Sequence, residues 1–149
     1  MTEKRPCGLG RRVAAILYDA LLVLALLFLA TIPFVAVRGG EAVEPETSPA
    51  YQLGLLLVVY LFFTGFWSTK GRTLGMQSWG LQLEDEHGRV PGPGRASIRF
   101  VAAILSAACL GIGFLWQLVD RDKMTWHDRL SGTRLMHYPR RKKAESDSG

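Results

Sequence analysis

The residue in this sequence with the most chemistry to account for is an aspartate inside an apolar run. Asp19 sits within the stretch from Val13 to Val37, where the only other ionisable side chain is the phenol of Tyr18. A carboxylate in hydrocarbon is costly, so such a residue marks an ion or proton site, or one half of a buried pair. Arg12 lies seven residues earlier, and on a helix Arg12, Ala15 and Asp19 share nearly one face. Seven residues rise roughly 10 Å, and an arginine at a helix entrance extends toward the interface, so a direct pair within the helix is not expected. Asp19 is expected to meet a group from another segment. Arg99, at the head of a later apolar run, and Trp126-His127-Asp128-Arg129, just beyond it, supply the candidates.

Two readings of these charges stand side by side. A carboxylate poised between desolvation and a nearby arginine can exchange a proton for a small cation. The same groups can instead form a structural ion-pair network that locks the first helix to the C-terminal segment. Other chemistry finds little support. His87, His127 and His137 stand singly, without the spacing a zinc site uses, and no metal or other cofactor is expected. The serines lack a nucleophile elbow, and Gly71, Gly75 and Gly80 lack the Gly-Lys-Ser/Thr end of a phosphate loop, so no enzyme is read here. Cys7 and Cys109 imply neither a disulfide framework nor a metal site.

The elements that position these residues follow from the distribution of apolar side chains. The 48% hydrophobic content is gathered into three runs, about 13–37, 50–67 and 98–119. The first is long enough for a helix crossing ~30 Å of hydrocarbon. It is preceded by Lys4, Arg5, Arg11 and Arg12, as a signal peptide would be, but it continues about twice as far as a cleavable core of ~7–15 residues, so a retained span is expected. The second carries no charge. The third carries only Arg99 and is broken by Gly111 and Gly113.

Short loops rich in Lys and Arg stay in the cytoplasm. That rule puts the N-terminal segment inside, the 38–50 loop with Glu41, Glu44 and Glu46 outside, and the 68–97 connection with Lys70, Arg72, Arg89 and Arg95 inside. The C-terminal stretch, with Arg121, Lys123, Arg129, Arg134 and the Arg140-Arg141-Lys142-Lys143 cluster, also belongs inside. One full crossing by 98–119 would place it outside. Either that run enters and returns as a hairpin hinged at Gly111-Ile112-Gly113, covered by other protein, or it is a third span with an external C-terminus.

A small cytoplasmic β element is expected as well. Residues 79–84 alternate apolar and polar, with a turn at 85–88 before Arg89-Val90, and Gly132 to Tyr138 reads as another strand. The two could pair only on one membrane face. Trp67, Trp79, Trp116, Trp126, Tyr51, Tyr60 and Tyr138 fall near the ends of apolar runs, as an interfacial aromatic belt does. Residues 139–149 read as a disordered basic and polar tail, whose cations suit anionic lipid headgroups better than nucleic acid.

Three ordered blocks carry a family resemblance: Arg11-Arg12-Val13-Ala14-Ala15-Ile16-Leu17-Tyr18-Asp19, then Thr73-Leu74-Gly75-Met76, then Trp126-His127-Asp128-Arg129-Leu130-Ser131-Gly132-Thr133. Together they resemble the RDD family of bacterial membrane proteins, named for one arginine and two aspartates. Carried over by position, those residues are Arg12, Asp19 and Asp128; Arg99, His127 and Arg129 are supporting residues by their place beside the third apolar run. The resemblance covers roughly residues 8–138 and implies a bacterial inner-membrane location, with ligand movement or cation/proton antiport as the activity described for some members. The expected protein is thus an all-α membrane domain over 1–138. It has two transmembrane helices, a third segment that re-enters or spans, and a cytoplasmic N-terminus. Its expected work is that of a small transporter, or of a non-transporting scaffold or accessory subunit. Two spans and a hairpin cannot enclose a path alone, so transport implies a homo-oligomer.

Overall fold

A computed structural model describes residues 4–42, 44 and 48–139. Glu46 of the acidic loop and residues 140–149 of the expected tail, with its basic cluster, lie outside them. The chain is mainly helical. Helix α1 runs Leu9–Val37 and α2 runs Pro49–Thr69, the latter opening on a proline whose missing N–H is no loss at the first helical position. Both are long and apolar enough to cross a membrane. Except at Pro33 of α1, which has no N–H to give, their backbones satisfy their own hydrogen bonds, which hydrocarbon demands. Their side chains point outward: Leu21 and Phe28 are each 69% exposed, a surface suited to lipid tails and not to water.

The third apolar run is split. Helix α4, Pro93–Ala108, is followed by α5, Ile112–Leu115, which continues into a 3₁₀ turn at Trp116–Leu118; the two arms are bent by 106°. The break falls at Cys109 to Gly111, where Leu110 and Gly111 take positive φ, a little before the expected hinge. Gly113 has another task. A Cβ there would lie 1.9 Å from the Ser106 hydroxyl oxygen, so its bareness lets the return arm close against α4. Gln117 then fastens that arm to the N-terminal segment, donating to the Cys7 carbonyl at 2.6 Å.

The β element is a three-stranded antiparallel sheet in the order β1-β3-β2, with β1 at Arg5–Pro6, β2 at Leu81–Asp85 and β3 at Thr133–His137. Strand β3 is central, pairing Leu83 with Leu135 on one side and Pro6 with Met136 on the other. The sequence anticipated β2 and β3 but not β1, which is too short to show a period. Arg89-Val90 forms no strand; the Arg89 carbonyl only accepts from the Asp85 amide. The sheet therefore joins three segments: one before α1, one after α2 and one after the bent pair. Two short helices, α3 at Leu74–Ser78 and α6 at Trp126–Ser131, flank it. Cys7, Ala15, Met76, Leu83, Phe100 and Leu135 form the core where sheet and helices meet.

Candidate functional site

The site is built on α6, and its local sequence explains why. Thr125 caps the helix: its hydroxyl accepts from the Asp128 amide at 3.4 Å, while the Asp128 carboxylate accepts from the Thr125 amide at 3.1 Å. This reciprocal box fixes the helix start and aims the Asp128 carboxylate. Gly132 ends the helix with φ +62, turning the chain into β3. The Thr125-x-x-Asp128 spacing was open to sequence reading as a capping box; its second use was not.

That second use is electrostatic. Arg12 of α1 donates to Asp128 Oδ2 at 2.9 Å and Arg99 of α4 donates to Oδ1 at 2.5 Å, so one carboxylate bridges two guanidinium groups from different helices. All three are buried, none more than 3% exposed. Arg99 also donates to Thr133 at 2.9 Å and lies with its Cζ 5.2 Å from the centre of the Trp67 ring. Trp67 is thus a buried cation–π partner and not part of an aromatic belt. Burial alone would push the Asp128 carboxyl up, but Arg99 and Arg12 outweigh it and hold it well below the usual carboxylate range. His127 packs its ring 4.7 Å from that of Phe114; burial, and then the positive charge of Arg99, push its imidazole down to about 3.

Asp19 stands apart from this cluster. It meets a group from another segment, as expected, but that group is not an arginine. The Thr73 hydroxyl donates to Asp19 Oδ2 and the Gly75 amide donates to Oδ1 at 2.9 Å. Thr73 is also the cap of α3, accepting from the Met76 amide at 3.2 Å. Gly75 is required by the close approach, since a Cβ there would sit 2.4 Å from the Ala15 carbonyl oxygen. Among the described residues Asp19 forms no ion pair. Arg129, expected as a supporting residue, is surface-exposed and pairs with Asp120 and Asp122. It does not join the buried cluster.

Chemically, the arrangement holds two carboxylates in different states of commitment. Asp128 is spent on two cations; Asp19 has only neutral donors. Arg12, Asp19, Arg99 and His127 all line one cavity of about 580 Å³ between α1, α2 and α4. No group of three or more metal-ligating side chains occurs among the described residues.

The sequence model of the RDD family matches residues 6–132, a span that includes Arg12, Asp19, α3, Arg99 and Asp128. The chain belongs to the RDD family. No curated protein and no solved structure matches it. In this RDD protein the three residues expected from the family signature are all buried, yet they divide between two arrangements: Arg12 with Asp128, and Asp19 with Thr73 and Gly75. Thr73 and Gly75 lie in the second signature block, but nothing in their spacing marks them as site residues. Only the approach of α3 to α1 gives them that place.

Proposed function

We propose that this RDD protein is a non-enzymatic, multi-pass protein of the bacterial inner membrane that exchanges a proton or small cation at Asp19. The observation that carries the reading is the pairing at Asp19: a carboxylate within a membrane helix, lining a cavity, whose partners are a hydroxyl and an amide and not an arginine. A structural ion pair at that charge would need an arginine beside it, and the two buried arginines make their contacts with Asp128 instead. A carboxylate left with neutral partners is free to take up a proton or a cation. The alternative, a scaffold or accessory subunit, draws support from the Arg12–Asp128–Arg99 network, which ties α1, α4 and α6 together. Both can hold in one molecule, with the network as frame and Asp19 as the working group.

The sheet also bears on topology. Its strands precede α1, follow α2 and follow the bent pair, which supports a re-entrant α4–α5 with both termini on the cytoplasmic side. Two crossing helices and a hairpin enclose no path, so exchange in this reading takes place in a homo-oligomer. Reconstituting the pure protein in liposomes, wild type beside Asp19→Asn, tests it. Proton-coupled cation flux in the wild type and none in a folded Asp19→Asn protein is the expected result. Equal flux in both, or none in either, would remove the proposal.

A further inference from the structure

The two partners of Asp19 differ in what they are able to do. An amide N–H is a donor only, so Gly75 offers Oδ1 a hydrogen whatever the charge on the carboxyl. A hydroxyl has one proton and two acceptor lone pairs, and it turns about its Cβ–Oγ bond. At Thr73 one lone pair takes the Met76 amide at 3.2 Å, which leaves the proton for Asp19 Oδ2 and one lone pair over. Both partners are held in place, since Thr73 is the cap of α3 and Gly75 lies in its first turn. Asp19 and Thr73 are both buried.

This pairing suits both protonation states of the carboxyl. With Asp19 charged, Thr73 and Gly75 each donate to one oxygen. With a proton on Oδ2, that oxygen donates to the spare lone pair of Thr73 once the hydroxyl has turned, and Oδ1 goes on accepting from Gly75 as a carbonyl oxygen does. The change needs one hydroxyl rotation and no movement of a helix. A metal cation is served less well. Both oxygens already face the positive ends of N–H and O–H dipoles, whereas a hard cation takes about six or more oxygen ligands. The neighbouring elements add no second carboxylate: α3 has no ionisable side chain, and α2 lines the cavity with Leu56, Val59, Phe63 and Trp67. The other ionisable groups on that cavity, Arg12, Arg99 and His127, carry positive charge or none. We propose that the species Asp19 takes up is a proton and not a metal cation, and that Thr73 is the positioning residue that holds both forms of the carboxyl by turning its hydroxyl from donor to acceptor. The inference deepens the exchange reading and rests on it for the premise that Asp19 changes its charge. A cation moved in exchange would then bind elsewhere.

Infrared difference spectra of the full-length protein in liposomes, recorded as pH is stepped, read the carboxyl itself through the C=O band of its protonated form. The part of that band missing from Asp19→Asn belongs to Asp19. One midpoint is expected, and it should stay where it is when sodium replaces choline at constant ionic strength. Thr73→Ser keeps both the hydroxyl and the cap and should keep the midpoint. Thr73→Val keeps the shape but leaves the charged form one donor short, so the midpoint should move about one unit toward higher pH, roughly a tenfold gain in proton affinity. Should the valine variant not fold, the sodium comparison and the serine variant still decide. No Asp19 band at any pH at which the protein stays folded would overturn the proposal. So would a midpoint that falls as sodium rises, an unshifted valine variant, or a serine variant shifted as far as the valine one. Flux is not read here. An Asp19 that titrates in a protein moving no ions would remove the exchange and leave this inference, while flux that needs Asp19 beside a sodium-dependent midpoint would do the reverse.

Discussion

At the scale of single residues, Asp128 meets two demands with one carboxylate, capping α6 and pairing with both Arg12 and Arg99. Removing one partner of a buried ion pair leaves the other charge uncompensated, at about 3–5 kcal/mol. Asp128→Asn should therefore lower stability in detergent by about that much. Asp19→Asn strands no arginine and keeps an acceptor for the Gly75 amide, so its loss should be near the ~1 kcal/mol of one hydrogen bond. Thermal melting of the two variants side by side checks the ranking; equal losses would contradict the separation of the two carboxylates. His127 supplies a pH test. Its imidazole titrates near 6.5 in the unfolded chain but is held down to about 3 in the fold, by burial first and then by Arg99. Between those values the unfolded state binds the proton that the folded state refuses, so stability falls as pH drops through that window. His127→Gln should flatten that slope in denaturation measured across it.

At the scale of elements, the contact between α1 and α3 is what presents Thr73 and the Gly75 amide to Asp19. It depends on a missing side chain. Gly75→Ala would place a methyl group 2.4 Å from the Ala15 carbonyl oxygen and 2.8 Å from Asp19 Cγ, forcing the two helices apart. Overpacking of this kind costs about 1–3 kcal/mol, and here it should also break both hydrogen bonds to Asp19. Gly65→Ala is the matched control, because a Cβ at Gly65 meets nothing within 4 Å. A clear drop in melting for the first variant and none for the second is expected. The bent pair α4–α5 rests on a similar economy at Gly113, together with the Gln117 tie to Cys7, so hinge and fastening come from different parts of the chain.

At the scale of the whole molecule, a hydrogen-bonded sheet restricts topology more tightly than charge counts do. Strands in one sheet lie on one side of a bilayer, and β1, β2 and β3 are separated by α1 with α2 and by the bent pair. A fluorescent reporter that matures only in the cytoplasm, fused after Gly149, should be bright. A reporter active only after export, inserted at Gly40, should be active too. A dark C-terminal fusion would mean that 93–118 crosses the membrane as one broken span and that the sheet as drawn does not form in the cell.

The sequence by itself determined the membrane character, the two long helices, the break in the third apolar run and the β2 and β3 strands. These follow from local properties, namely run length, charge spacing and alternation, that each segment carries wherever it is placed. It also marked Arg12, Asp19 and Arg99, as ionisable groups within or beside apolar runs, and Asp128 with His127 through the third block of the family resemblance. Only the tertiary structure decided who meets whom. Arg12 and Asp128 are far apart in the chain, as are Asp19 and Thr73, and no spacing rule connects them; the pairings depend on how α6 and α3 pack against α1 and α4. Arg129 shows the same point from the other side. It adjoins Asp128 in sequence, yet successive helical residues point about 100° apart, so one turns inward to two arginines and the other outward to Asp120 and Asp122.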